Sequence, residues 1–285
     1  MIHTSFSVAT GELPGGDRPS EDRIFQTPGA VVVLDGVSTV SDDEPRGGWY
    51  AETLGGHLIA GLADDPGADL RYVLERAISA VVSGHGLIPG FSPAATVAMV
   101  RQRGEQVDAL VLADSPVIVF TVHNGIDAVR DNRLAKLVAG RPECEEYKSR
   151  LRAGRGFTAP EHRALLQKLR DHQLRHLNVP GGYWVAEADP EAAHQALVCS
   201  WPTADVAEIL VMTDGVSAAV EDYGLYPTWD HLARASRTDG PDKAVRAIHA
   251  LETREDPAGR RFPRYKVADD KALAHLRPAG HAIGP

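Results

Sequence analysis

The chain has 285 residues and a 43% apolar fraction, enough for one large domain or two small ones with a sizeable core. Its formal charge of −9 argues against a general nucleic-acid binder, which needs a basic face, and suits a site that gathers divalent cations. Cys144 and Cys199 are too few and too far apart for a zinc motif or a disulfide framework. No apolar run reaches membrane-span length, and the first ten residues lack the pattern of a signal peptide, so the expectation is a cytoplasmic protein with no membrane partner.

In chain order, residues 3–9 alternate as a strand does, and a loop rich in Gly, Pro and charge follows. Residues 30–34 are a continuous apolar run ending at Asp35-Gly36, the mark of a buried strand. Residues 47–63 and 68–83 have helical spacing; in the second, Leu70, Val73, Leu74, Ala77, Ile78 and Val81 form one stripe. Three strands are predicted at 96–101, 107–114 and 116–122, with hairpin-like breaks at 103–106 and at Ser115-Pro116. That meander favours an antiparallel sheet over a doubly wound one. Residues 125–180 are charged, rich in Arg and poor in strand signal, with an amphipathic helix at 159–177. They read as a flap-like insertion in a single domain spanning 1–285. Strand signals return at 183–188, 196–201 and 207–214, a helix follows at 241–252, a charged loop at 254–266, and a last strand after Asp269-Asp270.

One string occurs twice, VVVLDGVS at 31–38 and ILVMTDGVS at 209–217. An isolated Asp-Gly is most often a hairpin turn. Two copies, each closing a core strand, place Asp35 and Asp214 on rigid ends where carboxylates can hold hard metal ions. Four islands then stand in one order: SED at 20–22, VVVLDG at 31–36, VLADS at 111–115 and VMTDG at 211–215, with ADDKALAHL at 268–276 closing the chain.

That ordered set resembles the metal-dependent protein phosphatases of type 2C, the PPM family, over nearly the whole chain. The resemblance implies an α+β fold, a four-layer α/β/β/α sandwich of two antiparallel sheets flanked by helices. It implies two manganese or magnesium ions in the cleft at the sheet ends, and a third, weaker one. Carried over by position, Asp35 bridges the two ions, the Gly36 carbonyl ligates one, Asp214 and Asp270 complete the other, and Asp22, with Glu21 beside it, binds through water. Asp114 matches the Asp that helps hold the third ion, and Arg18 lies near the position of a phosphate-binding cation. Two cations neutralise an anionic phosphate monoester and acidify a shared water that attacks phosphorus in line. The implied activity is hydrolysis of phosphoserine and phosphothreonine in a phosphoprotein substrate, which leaves open a cognate kinase as a partner.

Four departures accompany the match. Val37 follows the first Asp-Gly where many members carry a His that donates a proton. Ala113 replaces a Gly, Asp270-Lys271 replaces a closing Asp-Asn, and Arg18 lies one residue closer to the acidic pair than in many members. A regulatory or scaffold domain of the same fold and a small-metabolite phosphatase are the alternative readings. Elsewhere, His172 and His176 stand four apart on a predicted helix and read as a solvated face. Asp42, Asp43 and Glu44 read as a solvated acidic loop, and Trp49, Tyr50 and Trp184 as packing residues.

Overall fold

The computed structural model describes residues 6–37 and 47–278. The acidic run Asp42, Asp43 and Glu44 lies outside them. The strands are β1 (Phe6–Leu13), β2 (Arg23–Thr27), β3 (Ala30–Leu34), β4 (Gly36–Val37), β5 (Ala94–Ala95), β6 (Val97–Arg103), β7 (Gln106–Leu112), β8 (Val117–Thr121), β9 (Ile126–Val129), β10 (Leu197–Pro202), β11 (Val206–Met212) and β12 (Lys271–Pro278). Helices α1 (Gly47–Asp64) and α2 (Leu70–His85) precede β5. Helices α3 (Arg133–Val138), α4 (Pro142–Arg152) and α5 (Pro160–Leu174) follow β9. Helices α6 (Asp214–Glu221), α7 (Trp229–Asp239) and α8 (Pro241–Ala250) separate β11 from β12. Among the described residues no helix is long and apolar enough to cross a membrane.

The strands form two antiparallel five-stranded sheets, ordered β1-β12-β11-β8-β9 and β10-β7-β6-β3-β2, with β4 and β5 a short separate pair. Side chains on a strand alternate between faces, and here the alternation sorts residues by size. Val31, Val33, Ala98, Val100, Val107, Ala109 and Val111 of one sheet face Val117, Val119, Ile209, Val211, Ala272 and Ala274 of the other. The intervening residues point outward and are mostly larger. Leu34, Met99, Leu110 and Leu112 pack under α1 and α2, while Ile118, Phe120, Leu210, Met212 and Leu273 pack under α6 and α8. Small side chains inside and larger ones outside let two sheets stack with helices on both outer faces. The fold is thus the four-layer α/β/β/α sandwich.

Local chemistry sets the helix borders. The Asp69 carboxylate accepts the N–H groups of Arg71 and Tyr72 at 2.8 and 3.3 Å, capping α2, and Gly86 in the left-handed region ends it. The stripe read for α2 is buried as expected. Of the two hairpin-like breaks read in the sequence, one is a hairpin and one is not. Residues 103–106 do turn a hairpin, with Arg103 paired to Gln106. Ser115-Pro116 instead carries the chain from one sheet to the other, so β8 pairs with β11 and β9 and not with β7. The segment 183–188 makes only isolated bridges, Ala95 to Ala186 and Leu177 to Tyr183. The stretch 125–180 opens with β9, paired to β8, and continues into α3, α4 and α5. The last two share a small core of Cys144, Tyr147, Leu151, Leu165 and Leu169.

Ala113 turns the crossover with φ at 68°, a region that glycine enters freely and other residues do not. Left-handed backbone costs an L-residue roughly 1–2 kcal/mol. The Ala113 methyl is buried against Ala94 and Val185, which returns about 0.8 kcal/mol, and glycine would lose roughly 0.5–1 kcal/mol more chain entropy on folding. These contributions nearly cancel, which is why alanine is tolerated here. Ala113→Gly is therefore expected to change unfolding free energy in urea by no more than about 0.5 kcal/mol, whereas Ala113→Val should cost about 2 kcal/mol or more through its branched Cβ.

Candidate metal centre and cleft

Antiparallel pairing brings the end of one strand beside the start of the next, so acids from distant segments meet on one rim. Arg23 pairs with Leu34, which puts Asp22, just before β2, beside Asp35, just after β3. Met212 pairs with Leu273, which puts Asp214 beside the residues leading into β12. Asp114 follows β7 at the crossover between the sheets. Asp214 is the first residue of α6, two positions beyond the strand that the sequence predicts it to close.

The backbone of this rim is tightly bound. The Asp35 N–H donates to Thr96 Oγ1 at 3.1 Å, the Thr96 N–H donates back to the Asp35 carbonyl at 3.0 Å, and the Thr96 and Ser115 hydroxyls are 2.5 Å apart. Thr213 donates its hydroxyl to Asp22 Oδ2 at 2.8 Å and accepts the Ala272 N–H at 3.0 Å. Two glycines allow backbones to touch: a Cβ on Gly36 would run into Gly47 at the start of α1, and one on Gly215 into the Asp270 carbonyl.

The carboxylates repel one another. Burial first, then Asp22, Asp214 and Asp269, raise Asp35 well above the ordinary carboxyl range. Burial, then Asp269, Asp114 and Asp22, do the same to Asp214. Asp22 is pushed up to about 7 by burial and then by Asp269 and Asp270, against the pull of the Thr213 hydrogen bond. Asp114 is pushed up to about 6 by burial, Asp131 and Asp269. Asp269 recurs in all four, so its carboxylate faces the cluster.

The sequence reading placed Asp270 in this set and left Asp269 out. The structure shows both Asp270 oxygens committed elsewhere: Oδ1 accepts the Gly15 N–H at 2.7 Å and Oδ2 the Glu21 N–H at 2.8 Å. Asp270 thereby staples both ends of the loop that carries Arg18, which is itself exposed. Asp269 Oδ1 accepts the Asp270 N–H at 2.8 Å and meets Lys266 Nζ at 2.5 Å. Lys271 is turned away. Its ammonium is fully buried, ion-paired to Glu252, and donates to the Asp269 carbonyl at 2.8 Å. Sequence reasoning also missed Asp131, which accepts the Ala113 N–H at 3.3 Å, is clamped by Arg133, and so holds the turn under Asp114. Adjacent in sequence, the two acids differ in their hydrogen bonds: Asp270 is spent on backbone N–H groups, while Asp269 meets Lys266.

Hard oxygen donors at the ends of stiff strands suit magnesium or manganese. Asp22, Asp35, Asp114, Asp214 and Asp269 gather carboxylates that burial and mutual repulsion keep from ionising together, and Lys266 meets one of them, so the donor set fits divalent cations. Among the described residues, the three ligating atoms that approach within 4.8 Å of one another belong to Glu75, Glu191 and His194 on the outer face. The rim acids are spaced more widely, as a set shared between ions is. Of these acids Asp114, Asp214 and Asp269 line a cleft of about 530 Å³, together with α3, α4, α6 and residues 263–266, with Arg130 and Lys148 on its sides. Arg130 is ion-paired to Glu221 across it. His172 and His176 stack on each other at 4.4 Å at the end of α5. Tyr50 is buried with its hydroxyl on the Glu187 carbonyl at 2.6 Å.

By sequence the chain matches no family profile and no curated protein. By structure it is similar to a PPM Ser-Thr phosphatase, MsPP from Mycobacterium smegmatis, in complex with cacodylate, with a TM-score of 0.55 at 19% identity over 96% of this chain and 99% of that one. It is similar to PppA, a regulatory component of the type VI secretion system in Pseudomonas aeruginosa, with a TM-score of 0.55 at 16% identity over 96% and 98%. The catalytic domain of the serine/threonine phosphatase PstP, in complex with two manganese ions, gives a TM-score of 0.52 at 16% identity over 96% and 99%. Over the described residues, the fold of this chain is that of the PPM serine/threonine phosphatases.

Proposed function

We propose that the chain is a divalent-metal-dependent phosphatase that hydrolyses phosphoserine and phosphothreonine esters in proteins. The observation that carries this reading is the convergence of Asp22, Asp35, Asp114, Asp214 and Asp269 on one rim, with Asp114, Asp214 and Asp269 lining an open cleft. Asp35, Asp214 and Asp269 would hold two manganese or magnesium ions, with the Gly36 carbonyl beside them, Asp22 acting through water and Asp114 serving a looser third ion. When bound, such ions neutralise the phosphate and acidify water for in-line attack. Asp270 has a different role here, orienting the 15–21 loop and with it Arg18 toward the phosphate. The three-helix insertion forms one wall of the cleft, so it selects the polypeptide that carries the phosphate. Two free cysteines fit a reducing cytoplasm. A regulatory reading of the same fold is favoured by one observation, the Lys266 ammonium on Asp269, and turnover of an aryl phosphate with manganese, abolished by a chelator, decides against it.

The two adjacent acids give a direct test. Asp269→Asn is expected to lose manganese affinity and turnover together, measured by calorimetry and initial rates, as are Asp35→Asn and Asp214→Asn. Asp270→Asn keeps one acceptor for the loop N–H groups and should retain metal binding while raising KM. Loss of metal in Asp270→Asn with retention in Asp269→Asn would reverse the assignment.

Metal uptake should depend on pH in a defined direction. A carboxyl titrating at about 7 or about 6 in the metal-free fold must release its proton when a cation arrives, so manganese affinity should rise as pH goes from 5 through 7. The same two groups act oppositely on the metal-free fold. An unfolded chain loses these protons near pH 4, roughly, so their stabilising contribution is present at low pH and is lost as pH rises through 6 and 7. Titration calorimetry across this range, together with melting of the Asp22→Asn variant, checks both signs.

Proton delivery to the leaving group sets a further expectation. Val37 is 40% exposed at the position where relatives offer His, and among the described residues no histidine lines the cleft. A positioned acid typically contributes about 10²–10⁴-fold. Rates across a leaving-group series at saturating manganese should therefore fall steeply from acidic phenols to alkyl phosphates; a flat series, with chemistry rate-limiting, would mean that a donor acts.

A further inference from the structure

The cations around the rim are nearly all taken. Arg23 is paired to Glu52, Arg130 to Glu221, Arg133 to Asp131, Arg264 to Asp256 and Lys271 to Glu252. Lys266 differs in where its charge points. Its Nζ lies 2.5 Å from Asp269 Oδ1, the oxygen that also accepts the Asp270 N–H, and its side chain is 59% exposed at the cleft. The contact that holds it is one of charge. A lysine ammonium is a compact point charge on a flexible four-carbon arm, able to reach and to leave. It therefore occupies Asp269 Oδ1, an oxygen that a hard cation at the rim would compete for.

We propose that Lys266 is a tethered counter-ion of the metal centre: it offsets rim charge in the metal-free protein and competes for Asp269 with a divalent cation, which must win Oδ1 from the ammonium to use the whole carboxylate. This rests on the reading of the rim as a metal site and adds to it a built-in competitor that weakens metal binding. The competitor is also coupled to the insertion. The residue before it, Tyr265, packs its ring 5.3 Å from Tyr147 of α4, and its carbonyl contacts His162 Nε2 of α5 at 3.1 Å. A partner that shifts α4 and α5 would therefore shift the lysine, and with it the metal affinity.

The test compares wild type, Lys266→Met, Lys266→Gln and Lys266→Arg, using manganese alone as the probe in titration calorimetry and melting each protein with and without it. Removing the charge, in either neutral variant, should tighten manganese binding about tenfold or more. It should also lower the melting temperature of the metal-free protein, a gap that saturating manganese closes, while Lys266→Arg stays near wild type in both. Equal or weaker manganese binding in the neutral variants, or metal-free stability unchanged by the loss of charge, would overturn the proposal and leave the phosphatase reading standing. Manganese binding to none of the four proteins would overturn the metal-site reading, and this inference with it.

Discussion

Like charges crowded into a partly buried space are the constraint on which the rest of this structure depends. Five carboxylates from five separate segments converge on one rim, and burial together with neighbouring acids raises Asp22, Asp35, Asp114 and Asp214 above the ordinary carboxyl range. Without a compensating charge such a cluster must take up protons or drive its own backbone apart. The protein opposes the second outcome with hydrogen bonds that fix the rim from behind. Thr96, Thr213 and Ser115 bind the strand ends, Asp131 with Arg133 holds the turn under Asp114, and Asp270 ties the 15–21 loop at Gly15 and Glu21. None of these groups needs to touch a ligand to matter. They keep the acids in place against a repulsion that would otherwise open the cleft.

The two-sheet interior is what makes that fixation stiff. Valine and alanine dominate the inner faces of both sheets, so the layers approach without long, adaptable side chains between them. Strand ends in such a stack have little freedom to drift. An Asp has a single methylene between backbone and carboxylate, so rigidity of the strand becomes rigidity of the ligand. The cost falls at the crossover, where Ala113 occupies a left-handed conformation to pass from one sheet to the other.

Much of this was legible in the chain itself, and the reasons for the exceptions are physical. Continuous apolar runs at 30–34 and 206–212 and the stripe of α2 were readable because their periodicity is local. The acids at 22, 35, 114 and 214 were readable because each follows or precedes such a run. Helices α6 and α7 were not, since α6 begins at the candidate ligand itself and α7 carries more charge than apolar signal. The hairpin reading of Ser115-Pro116 failed because a sequence break shows that a strand stops, not which sheet the next strand joins. The choice between Asp269 and Asp270 could not be made from spacing: the two are adjacent, point to opposite sides of the chain, and differ only in partners drawn from residues 249 and more positions away.

Two lysines near the site show how sequence proximity misleads about charge. Lys271 adjoins the acidic pair and looked like a cation placed beside a ligand. In the fold it is fully buried beneath the sheet, against Glu252, whose second oxygen accepts the Tyr223 hydroxyl at 2.9 Å. Lys266, three residues before Asp269, is the one that faces the rim. The loop leading to it is ordered by Asp256, which accepts the N–H groups of Arg260, Arg261 and Phe262 and pairs with Arg264. Arg264 in turn lies over the Phe157 ring at 5.3 Å, between α4 and α5. Residues 256–270 therefore run from the wall of the cleft to its floor as one connected piece. The contact with the insertion at Phe157 and the Lys266–Asp269 pair at the rim belong to the same hydrogen-bonded segment.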